Sequence, residues 1–178
     1  MVQSVKYEVI RKLENVEIRR YPKMVIAKVS NYESDSFGLL FRFITGNNIQ
    51  KEKLKMTTPV VSQDYSQEIR MTSPVLSEFS SEGYMAFVMP SELNLETTPA
   101  PVDSRVRIEE IPSRTIAVLR FSGSWSEAHF EKETKQLLKE LTEAKIKTKG
   151  GVFTMLYNPP FTPSFLRRNE VATEVQET

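Results

Sequence analysis

His129 is the only imidazole in the 178 residues, and there is no cysteine. Together these facts exclude disulfides, thiolate metal sites, thiol nucleophiles and covalent haem attachment through a Cys-x-x-Cys-His motif. Carboxylates are left as reactive groups. The adjacent Glu109 and Glu110 lie in a stretch of alternating polarity, Glu109 at the polar parity, with no His or Ser nearby in sequence to complete an acid–base pair. Such a pair reads as a solvated strand edge, and Glu170 is the third candidate. The chain is expected not to be an enzyme.

The elements that would carry these residues come from periodicity. Val16-Glu17-Ile18-Arg19-Arg20-Tyr21-Pro22-Lys23-Met24-Val25-Ile26-Ala27 aligns without a gap on Val106-Arg107-Ile108-Glu109-Glu110-Ile111-Pro112-Ser113-Arg114-Thr115-Ile116-Ala117, an offset of 90 residues. In each copy an alternating strand buries Val and Ile, a proline turns the chain, and a second apolar strand follows. After the first copy, Ser34-Asp35-Ser36 offers N-cap residues, and Phe37, Leu40, Phe41 and Ile44 fall at helical spacing before Gly46. After the second, Ser124 and Glu127 suggest a capping box, and Phe130, Thr134, Leu137, Leu138 and Leu141 mark one face of a longer helix, with Gly150-Gly151 closing the unit.

Further strands are expected at 7–13, 53–57, 69–72, 84–89, 152–157 and 170–175. Two Met-Thr-x-Pro-Val units, starting at Met56 and Met71, suit strands that stop at a proline on the sheet rim. Tyr84 to Met89 is apolar at both parities, as for a strand covered on both faces. The pattern is that of an internal duplication. It implies an α+β fold: a distorted antiparallel β-barrel of two duplicated β-β-α-β halves flanked by two helices. The halves run about 7–90 and 105–175, with a Pro-rich connector at 91–104, all within a single domain of residues 1–178.

Apolar residues at 39%, charged residues at 26% and a net charge of +1 describe a soluble globular protein with no bias toward nucleic acid or an anionic membrane. No apolar run is long enough to span a bilayer, and the first residues lack a signal-peptide core, so the expected address is cytoplasmic.

The Gly46-Asn47-Asn48 turn, the Met-Thr-x-Pro-Val units, Tyr84-Met85-Ala86-Phe87-Val88-Met89-Pro90 and the run from Tyr157-Asn158-Pro159-Pro160-Phe161 through Thr162-Pro163-Ser164-Phe165-Leu166-Arg167-Arg168-Asn169-Glu170 resemble the SOUL haem-binding protein family. The chain is also similar to the GyrI-like effector-binding fold. The resemblance implies a barrel of duplicated halves. It also implies reversible binding of haem or another tetrapyrrole, by a carrier or buffer, in an apolar groove between the first helix and the loop near the C-terminus. Position by position, that groove would use Phe37, Leu40, Phe41 and Arg42 of the helix and Tyr157, Phe161 and Phe165 of the loop. A porphyrin asks for apolar walls and a cation for its propionates, for which Arg42, Arg167 and Arg168 are placed.

Haem iron takes His, Met, Cys or Tyr from proteins. His129 lies roughly 120° from the centre of the second helix's apolar stripe, a peripheral position, and is not expected to be a ligand. The haem would be held mainly by apolar contact, or ligated by Tyr157 or a methionine. The expected partner is a tetrapyrrole or small hydrophobic molecule. The alternatives are a sensor of amphipathic cations, marked by a buried glutamate facing aromatic rings, and a hydrolase using groove carboxylates. The oligomeric state is left open, and the acidic C-terminal tail reads as a frayed terminus.

Overall fold

The computed structural model describes residues 3–30, 35–51, 66–78 and 83–176. The chain divides into two compact units. One holds Lys23–Pro112 with the segment up to Val5, and the other holds Lys6–Pro22 with Ser113 onward. The chain therefore changes unit beside both Pro22 and Pro112.

In the first unit β4 (Met24–Ser30) pairs antiparallel with β7 (Tyr84–Val88) on one side and β9 (Val106–Ile111) on the other. β6 (Thr72–Glu78) lies beyond β7, and β1 (Gln3–Ser4) adds to it in parallel. Helix α1 (Ser36–Ile44) supplies Leu39, Leu40, Phe43 and Ile44 to a core with Val25, Ala27, Val29, Phe87 and Val106. Gly46, at φ 132°, ends α1 as expected, letting Asn47 N–H reach back to Arg42 O at 2.8 Å. Two-residue strands β5 (Asn48–Ile49) and β8 (Ala100–Pro101) pair, so the connector is tied down at its far end.

In the second unit the strand order is β2 (Glu8–Lys12), β3 (Val16–Tyr21), β10 (Arg114–Phe121), β12 (Asn169–Val175) and β11 (Thr148–Leu156), all antiparallel. Helix α2 (Glu127–Glu143) packs Phe130, Leu137 and Leu141 on Val16, Ile18, Ala117, Leu119, Val171 and Val175. Its buried Glu140 accepts the Asn15 N–H at 2.9 Å, fastening the β2–β3 turn to the helix. In neither unit do the described ladders close on themselves, so the architecture is α+β with two helices and extensive antiparallel sheet.

Several expectations shift. The halves are not contiguous in space: β3 pairs with β10 and β4 with β9, so each first strand joins the unit of the other copy. The strand at the second Met-Thr-x-Pro-Val unit does not stop at proline. β6 runs through Pro74, which sits where the register with β7 shifts between Thr72 and Val75, an irregularity that tolerates a missing donor. The first such unit and the strand expected at 53–57 lie outside the described residues. The N-cap of α2 is Ser126, whose Oγ accepts His129 N–H, so the capping box at Ser124 is displaced by two residues. Its C-terminus is set by Lys145 at φ 59°, with Lys145 N–H bonded to Thr142 O and Ile146 N–H to Leu141 O, a Schellman closure that pulls Ile146 back onto the apolar cluster. Gly150 and Gly151 instead fall inside β11, at its register shift. Among the described residues no helix is long and apolar enough to cross a membrane.

Candidate functional site

Helix α1 is apolar at almost every position, so periodicity alone leaves its buried face ambiguous. The sheet takes Ser36, Leu39, Leu40, Phe43 and Ile44, a stripe rotated from the one expected. Phe37 and Phe41, one turn apart, are left 43% and 46% exposed. Their rings lie near parallel, 13° apart with centroids at 6.0 Å, and Phe37 is braced edge-on by the buried Phe87 at 5.2 Å. Leu40, expected in the same wall, is fully buried in the core instead.

Beside the rings, Arg42 Nη2 donates to Asp35 Oδ2 at 2.9 Å, both side chains more than half exposed. Gly38 makes room for this pair: a Cβ there would lie 2.2 Å from Asp35 Oδ1 and 3.3 Å from Arg42 Nη1. The result is an exposed, near-parallel aromatic pair edged by one arginine. An exposed ion pair of this kind is worth about 0–1 kcal/mol, so an incoming carboxylate can take the guanidinium at little cost.

The C-terminal loop, residues 157–168, is in the other unit and is braced from within. Arg167 donates from Nε to Thr162 O at 2.9 Å and from Nη2 to Pro160 O at 2.8 Å, and its guanidinium lies 4.2 Å from the Trp125 ring centre. Gly123 N–H donates to Ser164 O at 2.9 Å. On this frame Phe161, Phe165 and Leu166 are 87%, 74% and 63% exposed, bare apolar tips on a fixed backbone. Arg167, expected as a propionate partner, has Nε and Nη2 on loop carbonyls.

Tyr157, Arg168 and Glu170 belong to a different structure, a buried polar cluster that spacing could not reveal because Arg19 and Glu170 are 151 residues apart. Arg19 Nη1 lies 3.0 Å from both Glu170 oxygens, Arg168 reaches Oε1 at 2.8 and 3.1 Å, and Tyr157 Oη donates to Oε2 at 3.0 Å. Arg19 also binds Glu17 at 2.8 Å, and Arg168 donates to Tyr7 Oη at 3.1 Å. The Arg19 and Arg168 guanidiniums stack on Tyr7 and Tyr157, 4.2 and 4.0 Å from the ring centres. Burial alone would lower both arginines, but Glu170, together with Glu17 and the neighbouring tyrosines, offsets it and holds them further toward the charged form. Burial pushes Tyr157 and Tyr21 up, and the charge on Glu170 adds to this. This is a glutamate facing aromatic rings, the mark set for a cation sensor, yet two arginines already neutralise it. Tyr157, expected as a groove wall, is accordingly held by its hydroxyl on Glu170.

The other chemistry-bearing residues are spoken for. His129 Nδ1–H donates to Ser124 O at 3.1 Å, Nε2 is 3.5 Å from Glu133, and the ring packs on Phe121 at 4.8 Å. Gly123, at φ 118°, permits that packing, since a Cβ there would sit 2.7 Å from the imidazole Cε1. Glu109 and Glu110 are surface partners of Lys28 and Lys23 at 3.6 and 3.9 Å. Among the described residues no group of three or more His, Cys, Asp or Glu could hold a metal ion.

Two helices packed on extensive antiparallel sheet define a class of α+β fold seen in solved structures of low identity. A hydrolase from Listeria innocua matches with a TM-score of 0.57 at 12% identity over 94% of each chain. The C-terminal domain of EcmrR matches with a TM-score of 0.55 at 9% identity, covering 97% of this chain and 99% of that one. At such identity the likeness is one of fold alone. In sequence, the model of the SOUL heme-binding protein family matches residues 2–174. Heme-binding protein 2 of Homo sapiens is 30% identical over 169 residues, 90% of this chain and 78% of that protein. The chain belongs to the SOUL heme-binding protein family.

Proposed function

We propose that this protein binds haem or a related tetrapyrrole reversibly, as a non-enzymatic carrier or buffer, and that the Phe37–Phe41 face of α1 is its ring-contacting surface. The observation that carries this reading is the near-parallel aromatic pair left open on a helix that buries the rest of its apolar side chains. A porphyrin laid on that face covers two rings at once, and Arg42 stands at the edge where a propionate needs a cation. Haem supplies its own iron chemistry when bound. This face offers it no axial ligand, since α1 contains no His, Met, Cys or Tyr. The committed nitrogens of His129 and the committed hydroxyl of Tyr157 support binding through the ring rather than the metal. The bare Phe161 and Phe165 form a second apolar surface of the same kind, to be tested separately. The surface ion pairs of Glu109 and Glu110 and the doubly neutralised Glu170 support a binding role over a hydrolytic one. The matching roles of β4 and β10, each the inner strand beside its helix, support a duplicated origin.

The test is a tetrapyrrole titration of Phe37→Ala and Phe41→Ala. Covering a half-exposed ring is worth about 1 kcal/mol, so each variant is expected to bind roughly fivefold more weakly, with little change in melting temperature because neither ring is buried. Leu40→Ala is the contrast, expected to cost about 2–5 kcal/mol of fold stability. Unchanged affinity in both phenylalanine variants would remove α1 as the site.

A further inference from the structure

In the second unit, and sharing no lining residue with the tetrapyrrole-contacting residues discussed above, a cavity of about 120 Å³ opens between Ile10, Arg11, Ile18, Arg20, Thr115, Ile146, Val175 and Gln176. The fold has to make a specific exception to form it. Successive residues of a strand point to opposite faces, yet Ile10 and Arg11 both line this cavity. The cause is the register shift in the β2–β3 ladder, where Val9 faces Arg19 but Arg11 already faces Ile18. One extra residue on the edge strand re-aims a side chain in this way. Ile18 and Arg20, two apart on the neighbouring strand β3, point to one face of it and join the lining. The Schellman closure of α2 delivers Ile146, and Gln176 N–H, bonded to Lys147 O at 2.9 Å, fixes the end of β12 beside it.

The lining has two kinds of chemistry. Ile18 and Val175 are buried, Ile10 is half exposed at the mouth, and Ile146 packs on the same apolar cluster. The charged members are Arg11 and Arg20, and no carboxylate is among the lining residues. Arg20 stands across the ladder from Glu8, whereas Arg11 makes no ion pair among the described residues. Arg11 is therefore the cation on which recognition turns. An aliphatic floor with a guanidinium at its mouth fits a molecule with a short hydrocarbon tail and an anionic planar head, the complement of an arginine fork. The volume is below the 300 Å³ or so at which pockets take drug-sized ligands, so a porphyrin is too large for it.

We infer that this bulge-made cavity is a second binding site, for a short-chain aliphatic monocarboxylate held by Arg11 over the Ile10, Ile18, Ile146 and Val175 floor. The experiment uses the full chain, labelled at isoleucine and valine methyls, titrated with butyrate, butan-1-ol and inorganic phosphate. Butyrate is expected to shift the methyls of Ile10, Ile18, Ile146 and Val175 saturably, with butanol and phosphate each at least about tenfold weaker. Arg11→Gln, a change on an exposed edge strand, is expected to weaken butyrate by about tenfold or more, while Lys12→Gln, which removes the same charge next door but outside the lining, leaves it unchanged. Equal binding of butyrate by Arg11→Gln and the parent would overturn the assignment. So would phosphate matching butyrate, which means charge alone, butanol matching it, which means the head group is not read, or the absence of saturable shifts. The ligand comparison in the parent needs no variant to fold.

Discussion

Two regions of this molecule gather arginine beside aromatic rings, and they differ in what the polar groups are already doing. Around Glu170, two arginines and three tyrosines close on one carboxylate that has no exposed surface, and each named donor has an acceptor within 3.2 Å. On α1, Phe37 and Phe41 are half open and Arg42 is hydrogen-bonded to the exposed carboxylate of Asp35. The inventories are nearly the same, yet one region is saturated and the other has unused capacity. A list of residue types points to the first as readily as to the second. Only the accounting of hydrogen bonds and exposed area separates structural cement from a binding face.

The sharpest way to break this contrast is at Glu170. Glu170→Gln leaves the buried Arg19 with Glu17 alone and takes the counter-charge from the part-buried Arg168, and is expected to cost about 3 kcal/mol in chemical denaturation. If the variant is as stable as the parent, the cluster is not holding the unit together and its assignment as structure fails.

The pH dependence tests the same cluster without mutation. Tyr157 and Tyr21 have folded pKa values raised above their unfolded value of about 10, so the folded state keeps two protons that the unfolded state gives up. Their stabilising contribution is whole below pH 10 and is lost as pH rises above it, with a slope on the order of 2–3 kcal/mol per pH unit. Denaturation midpoints measured from pH 9 to 12, beside tyrosinate absorbance, should show two of the six tyrosines ionising only as the protein unfolds. All six ionising reversibly near pH 10 in the folded protein would contradict the closed network.

The smallest expected effect belongs to His129. Its ring nitrogens face Ser124 O and Glu133, so His129→Ala should leave tetrapyrrole affinity within about twofold and the haem absorption band in place. A change of band type would relocate the iron to α2.

Much of the fold was legible in sequence because strands and helices write their burial locally. Val16 and Ile18 alternate into one core, Val106 into the other, and Tyr84 to Val88 is covered on both faces as its uniform apolarity suggested. The exchange of first strands between units was not, since which strand pairs with which is a matter of long-range register that the repeat leaves undetermined. Nor was the face of α1. With Phe37, Leu39, Leu40, Phe41, Phe43 and Ile44 all apolar, two stripes compete, and the one with Leu39 and Phe43 fills the core while Phe37 and Phe41 are left out. The small residue between them was the available clue, because Gly38 in the middle of a helix costs stability unless something must pass close by, as the Asp35–Arg42 pair does.

The most direct test of the central claim compares haem with metal-free protoporphyrin on the unmodified protein. If the open aromatic face recognises the ring and no side chain ligates the iron, the two dissociation constants should agree within about threefold, and Phe41→Ala should weaken both by the same factor. Haem binding a hundredfold more tightly than protoporphyrin would mean that the protein supplies an axial ligand, and the α1 face would not be the site.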